Sequence, residues 1–142
     1  MIKIALPGSA GRMGSMLIKT IAEADDLNLV AATDWRESPY IGHDAGEVAG
    51  LAANGVLISS DPKALFVDSD VVIDFSSPAA SLKHARLAAK HGTALVIGTT
   101  GLTVNDEVVL REVGGKIPLV YCANTSVGVT LLTQLVDRKS TR

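Results

Sequence analysis

Three glycines stand at every third position in Gly8-Ser9-Ala10-Gly11-Arg12-Met13-Gly14, directly behind the apolar run Ile2-Lys3-Ile4-Ala5-Leu6. The chemistry open to such a stretch is the holding of an anion by main-chain N–H groups. Gly8 is free to take a backbone conformation closed to other residues, Gly11 lets a diphosphate approach the main chain, and Gly14 lets a helix sit close to the strand. The unpaired amides and the positive dipole end of that helix then face the anion. The spacing departs from the dinucleotide fingerprint Gly-x-Gly-x-x-Gly, because Ala10 stands at the second glycine, and an ordinary strand-to-helix turn has the same look. Asp34 supplies a second signal. It follows the apolar run from Leu27 to Thr33, about twenty residues beyond Gly14, where an adenosine ribose offers its hydroxyls to an acid.

Other residues extend this picture. Arg36 is placed to neutralise a 2′-phosphate, although Asp34 repels that group, and a solvated surface arginine fits equally well. Gly98-Thr99-Thr100-Gly101 and the amide of Asn124 offer short hydrogen-bonding groups suited to a carboxamide and a ribose; turn chemistry alone is the alternative. Hydride transfer needs such orientation, since the nicotinamide carries the reaction and the protein supplies position and electrostatics. These turns hold no strong proton donor. His43 falls in a long loop and reads as solvated, while His84 and His91 share one helix and His91 reads as part of its C-terminal cap. Cys122 reads as a small buried thiol with no base beside it. No histidine or cysteine has metal-ligand company, which argues against a metal site, and no Gly-Lys-Ser or Gly-Lys-Thr closes the glycine loop, which argues against a nucleoside triphosphatase.

The elements that must position these groups alternate along the chain. Behind the first strand, Met13, Leu17, Ile21 and Ala24 form one apolar helical face. After the second strand, residues 35–54 read as a long surface excursion. Val56 to Ser59 is a short third strand, and Asp61-Pro62 opens a brief helix through Phe66. Val71 to Phe75 is an almost wholly apolar fourth strand, as befits a central parallel one. A helix capped by Ser76-Ser77-Pro78 runs to His91 and stops at Gly92. Ala94 to Ile97 is the fifth strand, Thr103 with Asp106 forms a capping box for the next helix, and Ile117 to Tyr121 is a sixth strand whose Pro118 suits a sheet edge. Another helix starts within 127–136. Six alternating strands predict an α/β fold: a doubly wound, mostly parallel Rossmann-type sheet with helices on both faces. The turns Gly8–Gly14, Phe75–Pro78, Gly98–Gly101 and Cys122–Ser126 then share one edge and form one continuous trough.

Composition sets the outer bounds. The chain has 142 residues, 47% hydrophobic and 20% charged, with a formal net charge of −2; this is the size of one domain, with no basic stripe for nucleic acid or an anionic membrane. Only 4% of residues are aromatic, which disfavours base-stacking platforms. With no membrane-length apolar stretch, no leader-like start and a lone cysteine, the expected location is the cytoplasm.

Taken together, Gly8-x-x-Gly11-Arg12-Met13-Gly14, Asp44-Ala45-Gly46-Glu47, Asp74-Phe75-Ser76-x-Pro78, Val96-Ile97-Gly98-Thr99-Thr100-Gly101 and Ala123-Asn124-x-Ser126-Val127-Gly128-Val129 resemble the 4-hydroxy-tetrahydrodipicolinate (dihydrodipicolinate) reductase family over nearly the whole chain. The resemblance implies reduction of a cyclic lysine and diaminopimelate precursor with NADH or NADPH. It implies that Gly8, Ser9, Ala10, Gly11, Arg12 and Met13 hold the diphosphate, and that Asp34 holds the adenosine ribose with Trp35 and Arg36 beside it. Gly98, Thr99 and Thr100 would meet the nicotinamide end, flanked by Cys122, Ala123, Asn124 and Thr125. Where family members often carry an arginine after the acid, this chain has Trp35, with Arg36 one place later.

The family's substrate-binding and acid-donating segment, of the type His-His-x-x-Lys-x-Asp-Ala-Pro-Ser-Gly, is not among the 142 residues. The expected organisation is therefore a dinucleotide-binding domain over 1–126 and the start of a connection to a substrate domain over 127–142, with 138–142 an appended or truncated end. No catalytic residue is assigned within the chain, turnover is expected to be negligible, and self-association through uncovered apolar surface is expected. The alternative is a stand-alone NAD(P)-sensing domain that uses the same fold without catalysis.

Overall fold

A computed structural model describes residues 1–122. The readings of Ala123, Asn124 and Thr125, of a helix within 127–136, of the boundary at 126 and of the end at 138–142 lie outside the described residues.

Six strands alternate with helical segments: β1 (Ile2–Pro7), α1 (Arg12–Glu23), β2 (Leu27–Thr33), α2 (Ala45–Val48), β3 (Ile58–Ser59), a 3₁₀ helix (Pro62–Phe66), β4 (Val71–Asp74), α3 (Pro78–His91), β5 (Ala94–Ile97), α4 (Val104–Gly114) and β6 (Leu119–Tyr121). The strands form one sheet in the order β3-β2-β1-β4-β5-β6, and every pairing is parallel. The order reverses between β1 and β4, so the turns that follow these two strands flank the crevice where such sheets take ligands. One irregularity interrupts the register. Ile4 pairs with Leu29 but Ala5 pairs with Ala31, which leaves Val30 as an extra residue in β2.

Both faces of the sheet are covered. On one, Leu17, Ile18 and Ile21 of α1 pack with Ala45 and Ala49 against Ile4, Leu6, Leu27 and Leu29. On the other, Leu65 and Phe66 of the 3₁₀ helix join Ala85 and Ala88 of α3 and Leu110 and Val113 of α4 over Ala5, Val72, Leu95 and Ile97. Each Leu or Ile so buried contributes about 1.5–3 kcal/mol. The helix ends follow local chemistry. Ser77 accepts from the Ala80 amide at the start of α3, and Gly92 closes it at φ 71°. Thr103 and Asp106 make both arms of the capping box on α4.

Three departures from the sequence reading are larger than one residue. The excursion over 35–54 contains α2, capped by Asp44, whose side chain accepts from the amides of Gly46 and Glu47. The third strand shrinks to Ile58–Ser59, because Gly42 and His43 pair with Ile58 from its open side and leave little ladder to extend. The sixth strand begins at Leu119, after the proline that cannot donate to the ladder, and it lies at the sheet edge as expected.

Candidate ligand site at the strand ends

The glycine loop is shaped by its backbone. Gly8 has φ +63°, in the left-handed region that favours glycine. Gly14 sits against the loop so closely that a Cβ there would lie 2.4 Å from the Ser9 carbonyl oxygen and 2.5 Å from that of Gly8. Ser9 is fully buried, with both its amide and its hydroxyl donating to the Thr33 carbonyl, at 3.0 and 3.1 Å. The loop is thereby tied to the end of β2. Gly11 caps α1 with no side-chain hydrogen bond, leaving the first-turn amides to a ligand or water.

A cavity of about 620 Å³ opens over this loop and is lined by Gly8, Ala10 and Gly11, by Asp34, Trp35 and Arg36, and by Phe75, Ser76 and Ser77 beyond β4. Asp34 is held by its surroundings: Oδ1 accepts from the Trp35 amide at 3.0 Å and Oδ2 from the Ser38 hydroxyl at 2.8 Å. Trp35 is 62% exposed and Arg36 is exposed. Arg36 has no ion-pair partner among the described residues.

The reach of the cavity differs from the expected continuous trough. Its lining includes none of Gly98, Thr99 or Thr100. Two side chains explain this. The Phe75 ring lies directly on Gly98, where a Cβ would stand 2.0 Å from ring carbon Cε1. Thr99 is buried, with its hydroxyl 2.7 Å from that of Ser81 on α3 and 3.5 Å from the Asp74 carbonyl oxygen, so this hydroxyl is used in holding β5 to α3. Thr100 is exposed. Arg12 is exposed, and neither it nor half-buried Met13 borders the cavity. The amide of Cys122 donates to the Ile97 carbonyl at 2.9 Å.

One arrangement was missed by sequence reasoning. Asp74, fully buried at the end of β4, receives His84 Nδ1 on Oδ2 at 2.7 Å, while Oδ1 accepts from the Ser76 amide at 2.8 Å and from the Ser76 hydroxyl. His84 is 5% exposed and borders the cavity. The signal was available: an acid that ends an otherwise apolar central strand needs an internal partner, and among the residues that α3 buries, Ser81, His84, Ala85 and Ala88, only Ser81 and His84 are polar. Ser38 and Tyr40, which also line the cavity, carried no such signal. His91 stacks on Phe66, with ring centroids 5.9 Å apart.

Residues 2–125 match the family model described as dihydrodipicolinate reductase, N-terminus. The 4-hydroxy-tetrahydrodipicolinate reductase of Burkholderia lata is 41% identical over 136 residues, covering 96% of this chain and 51% of that protein. The enzyme of the same name from Nitrosomonas europaea is 43% identical, covering 96% and 50%. The chain spans about half the length of the curated relatives it matches. Among solved structures, dipicolinate-bound dihydrodipicolinate reductase from Paenisporosarcina sp. TG-14 superposes with a TM-score of 0.72 at 24% identity, over 95% of this chain and 52% of that one. Staphylococcus aureus homoserine dehydrogenase gives 0.68 at 16% identity, over 86% of this chain and 32% of that one, so the same sheet serves other dehydrogenases. Matched by the family model over most of its length, the chain belongs to the dihydrodipicolinate reductase family, of which it carries the N-terminal, nucleotide-binding part.

Proposed function

We propose that the chain is the NAD(P)H-binding half of a 4-hydroxy-tetrahydrodipicolinate reductase, acting in lysine and diaminopimelate synthesis in the cytoplasm. The observation that carries this reading is the single cavity that joins the glycine loop to Asp34. The residues fit the cofactor. Gly11 leaves the start of α1 uncapped, and a Cβ there would meet the Gly8 carbonyl oxygen at 3.2 Å, so the place for a diphosphate is kept clear of side chains. The Asp34 carboxylate has lone pairs left for ribose hydroxyls after accepting from Trp35 and Ser38.

In this reading the main chain of Gly8 to Met13 holds the diphosphate and Asp34 orients the adenosine ribose. Gly98 to Thr100, with Cys122, are assigned to the nicotinamide end, as are Ala123, Asn124 and Thr125, which lie outside the described residues. When bound, the nicotinamide supplies the hydride. The protein's share is position, and the side-chain hydroxyl of Thr99 acts from behind by fixing β5 to α3. Arg36 lies on the same cavity as Asp34, so NADH and NADPH are both accepted, Arg36 offsetting the repulsion between the acid and a 2′-phosphate. Substrate contacts and the proton donor belong to chain beyond this half. Turnover by the 142 residues alone is accordingly negligible, and apolar surface left uncovered favours self-association.

Calorimetric titration of the purified chain with NADH and with NADPH tests this. The expected result is saturable binding of both, weakened at least about tenfold in Gly11→Asp, which sets a carboxylate against the diphosphate, and in Asp34→Ala. A folded chain that binds neither cofactor overturns the reading.

A further inference from the structure

Of the six residues from Trp35 to Tyr40, five are exposed and one, Ser38, is 6% exposed and borders the cavity. A small hydroxyl is buried where larger side chains stand in solvent. We propose that Ser38 is a positioning residue that holds the Asp34 carboxylate in one orientation, and that this hold sets the balance between a ribose with a free 2′-hydroxyl and one with a 2′-phosphate. The proposal rests on the reading of the cavity as a dinucleotide site.

The hydroxyl is not needed to make the turn. Main chain closes it, the Ser38 amide donating to the Trp35 carbonyl at 3.0 Å, a bond that any residue except proline supplies. What the side chain adds is a relay. Its Oγ accepts from the Tyr40 amide at 3.3 Å and donates its one hydrogen to Asp34 Oδ2 at 2.8 Å. The chain on either side is anchored as well. The Asp34 amide donates to the Ser59 carbonyl at 3.0 Å, and the Gly42 amide donates to the Ile58 carbonyl at 2.8 Å. Between them the Ile41 amide donates to the Ser38 carbonyl at 3.4 Å. The segment that carries both the acid and the serine is therefore fastened to β3 before and after the serine.

Two points hold the carboxylate. Oδ1 takes the Trp35 amide at 3.0 Å and Oδ2 takes the Ser38 hydroxyl. A planar group fixed at both oxygens cannot rotate about its last bond, yet each oxygen keeps a lone pair. Without the serine it turns about the single bond to Trp35. For a ribose with both hydroxyls free the hold is favourable: two donors meet two acceptors already in place, and no side-chain freedom is lost on binding. For a 2′-phosphate the same hold is unfavourable. The esterified oxygen has no hydrogen to give, the group is anionic, and the acid cannot step aside. Arg36, on the same cavity, offsets that repulsion, and Ser38 sets how much there is to offset.

The test is calorimetric titration of the chain and of Ser38→Ala with NADH and with NADPH, the fold of each checked by circular dichroism. In Ser38→Ala, NADH is expected to bind about three- to tenfold more weakly, while NADPH stays within about twofold or tightens. The ratio of the two affinities moves at least about threefold toward NADPH. Ser38→Cys keeps the size but offers a weaker donor, and falls between the two. In an Asp34→Ala background, Ser38→Ala shifts neither affinity by more than about twofold, because the group it holds is gone. An equal loss with both cofactors overturns the proposal, since the serine then only shapes the turn. So does an unchanged ratio, or a loss in the Asp34→Ala background as large as in the unaltered chain. Failure of the underlying site reading looks different, because then neither cofactor binds the unaltered chain, and the proposal falls with it.

Discussion

The two halves of the strand-end surface are built by different means. Over β1 and β2 the shape is set by main chain: Gly8 in a left-handed conformation, Gly14 pressed on two carbonyl oxygens, and Ser9 tied twice to Thr33. Over β5 it is set by side chains, with the Phe75 ring lying on Gly98 and the Thr99 hydroxyl turned inward to Ser81. A carbonyl within a hydrogen-bonded loop cannot yield without moving the loop, whereas a half-buried aromatic ring yields by rotating. One half is therefore formed before any ligand arrives, and the other is adjustable.

The largest effect that sharpens this contrast is expected at Gly14. In Gly14→Ala the new Cβ meets backbone that has nowhere to go, and a loss of about 2–3 kcal/mol is expected after the gain in helix propensity is taken into account. Urea denaturation measures it, and cofactor affinity should fall with it because the loop itself must shift. The next effect is at Gly98. Gly98→Ala is expected to cost about 1–2 kcal/mol alone and close to nothing in a Phe75→Ala background, since the obstacle is the ring. If Gly98→Ala proves as damaging as Gly14→Ala, and Phe75→Ala gives no relief, the ring is as fixed as main chain and the contrast breaks.

The smallest effect is expected in the excursion after β2, outside the formed half. Burial pushes the Asp44 carboxyl up, but hydrogen bonds from the amides of Asn54, Gly55, Glu47 and Gly46 outweigh this and hold it below its ordinary value of 3.8. The clasp it forms is thus intact above that ordinary value and is lost only as pH falls through the lowered folded one. Amide NMR shifts of Asn54 and Gly55 should stay constant from about pH 7 down to about pH 4 and move only below that. Asp44→Ala should loosen residues 45–55 while changing NADH affinity less than about twofold, because the clasp holds the excursion and not the loop.

Much of the first half was legible in the residues, and the second much less so. A positive φ at Gly8 and a close approach at Gly14 are demands that only glycine meets, so the spacing announced them. The Asp61, Ser77 and Thr103 caps, the stop at Gly92 and the edge position after Pro118 were equally local, and each was found where local chemistry put it. The interruption of the trough was not local. It depends on Phe75 crossing from the end of β4 to lie on the residue after β5, which no run of either strand encodes. The Asp74–His84 pair lay between these cases, because its demand was visible in the acid at the end of an apolar strand but its answer sat ten residues on. The α2 turn escaped notice because four residues are too few to show a period.

The unpaired Val30 bears on how the distance between the glycine loop and its acid should be counted. Upstream of it Leu27 and Leu29 face the α1 side; downstream Ala32 does so while Ala31 packs on the opposite side. Alternation resumes as though Val30 were not there. Deleting that one residue restores a regular ladder and leaves Thr33 and Asp34 on the faces they now hold. Deleting Asn28 or Ala32 turns part of the strand over. The separation of twenty residues is therefore elastic at a single place: a gap at Val30 in a related sequence leaves the acid where it is, and a gap elsewhere in the strand does not.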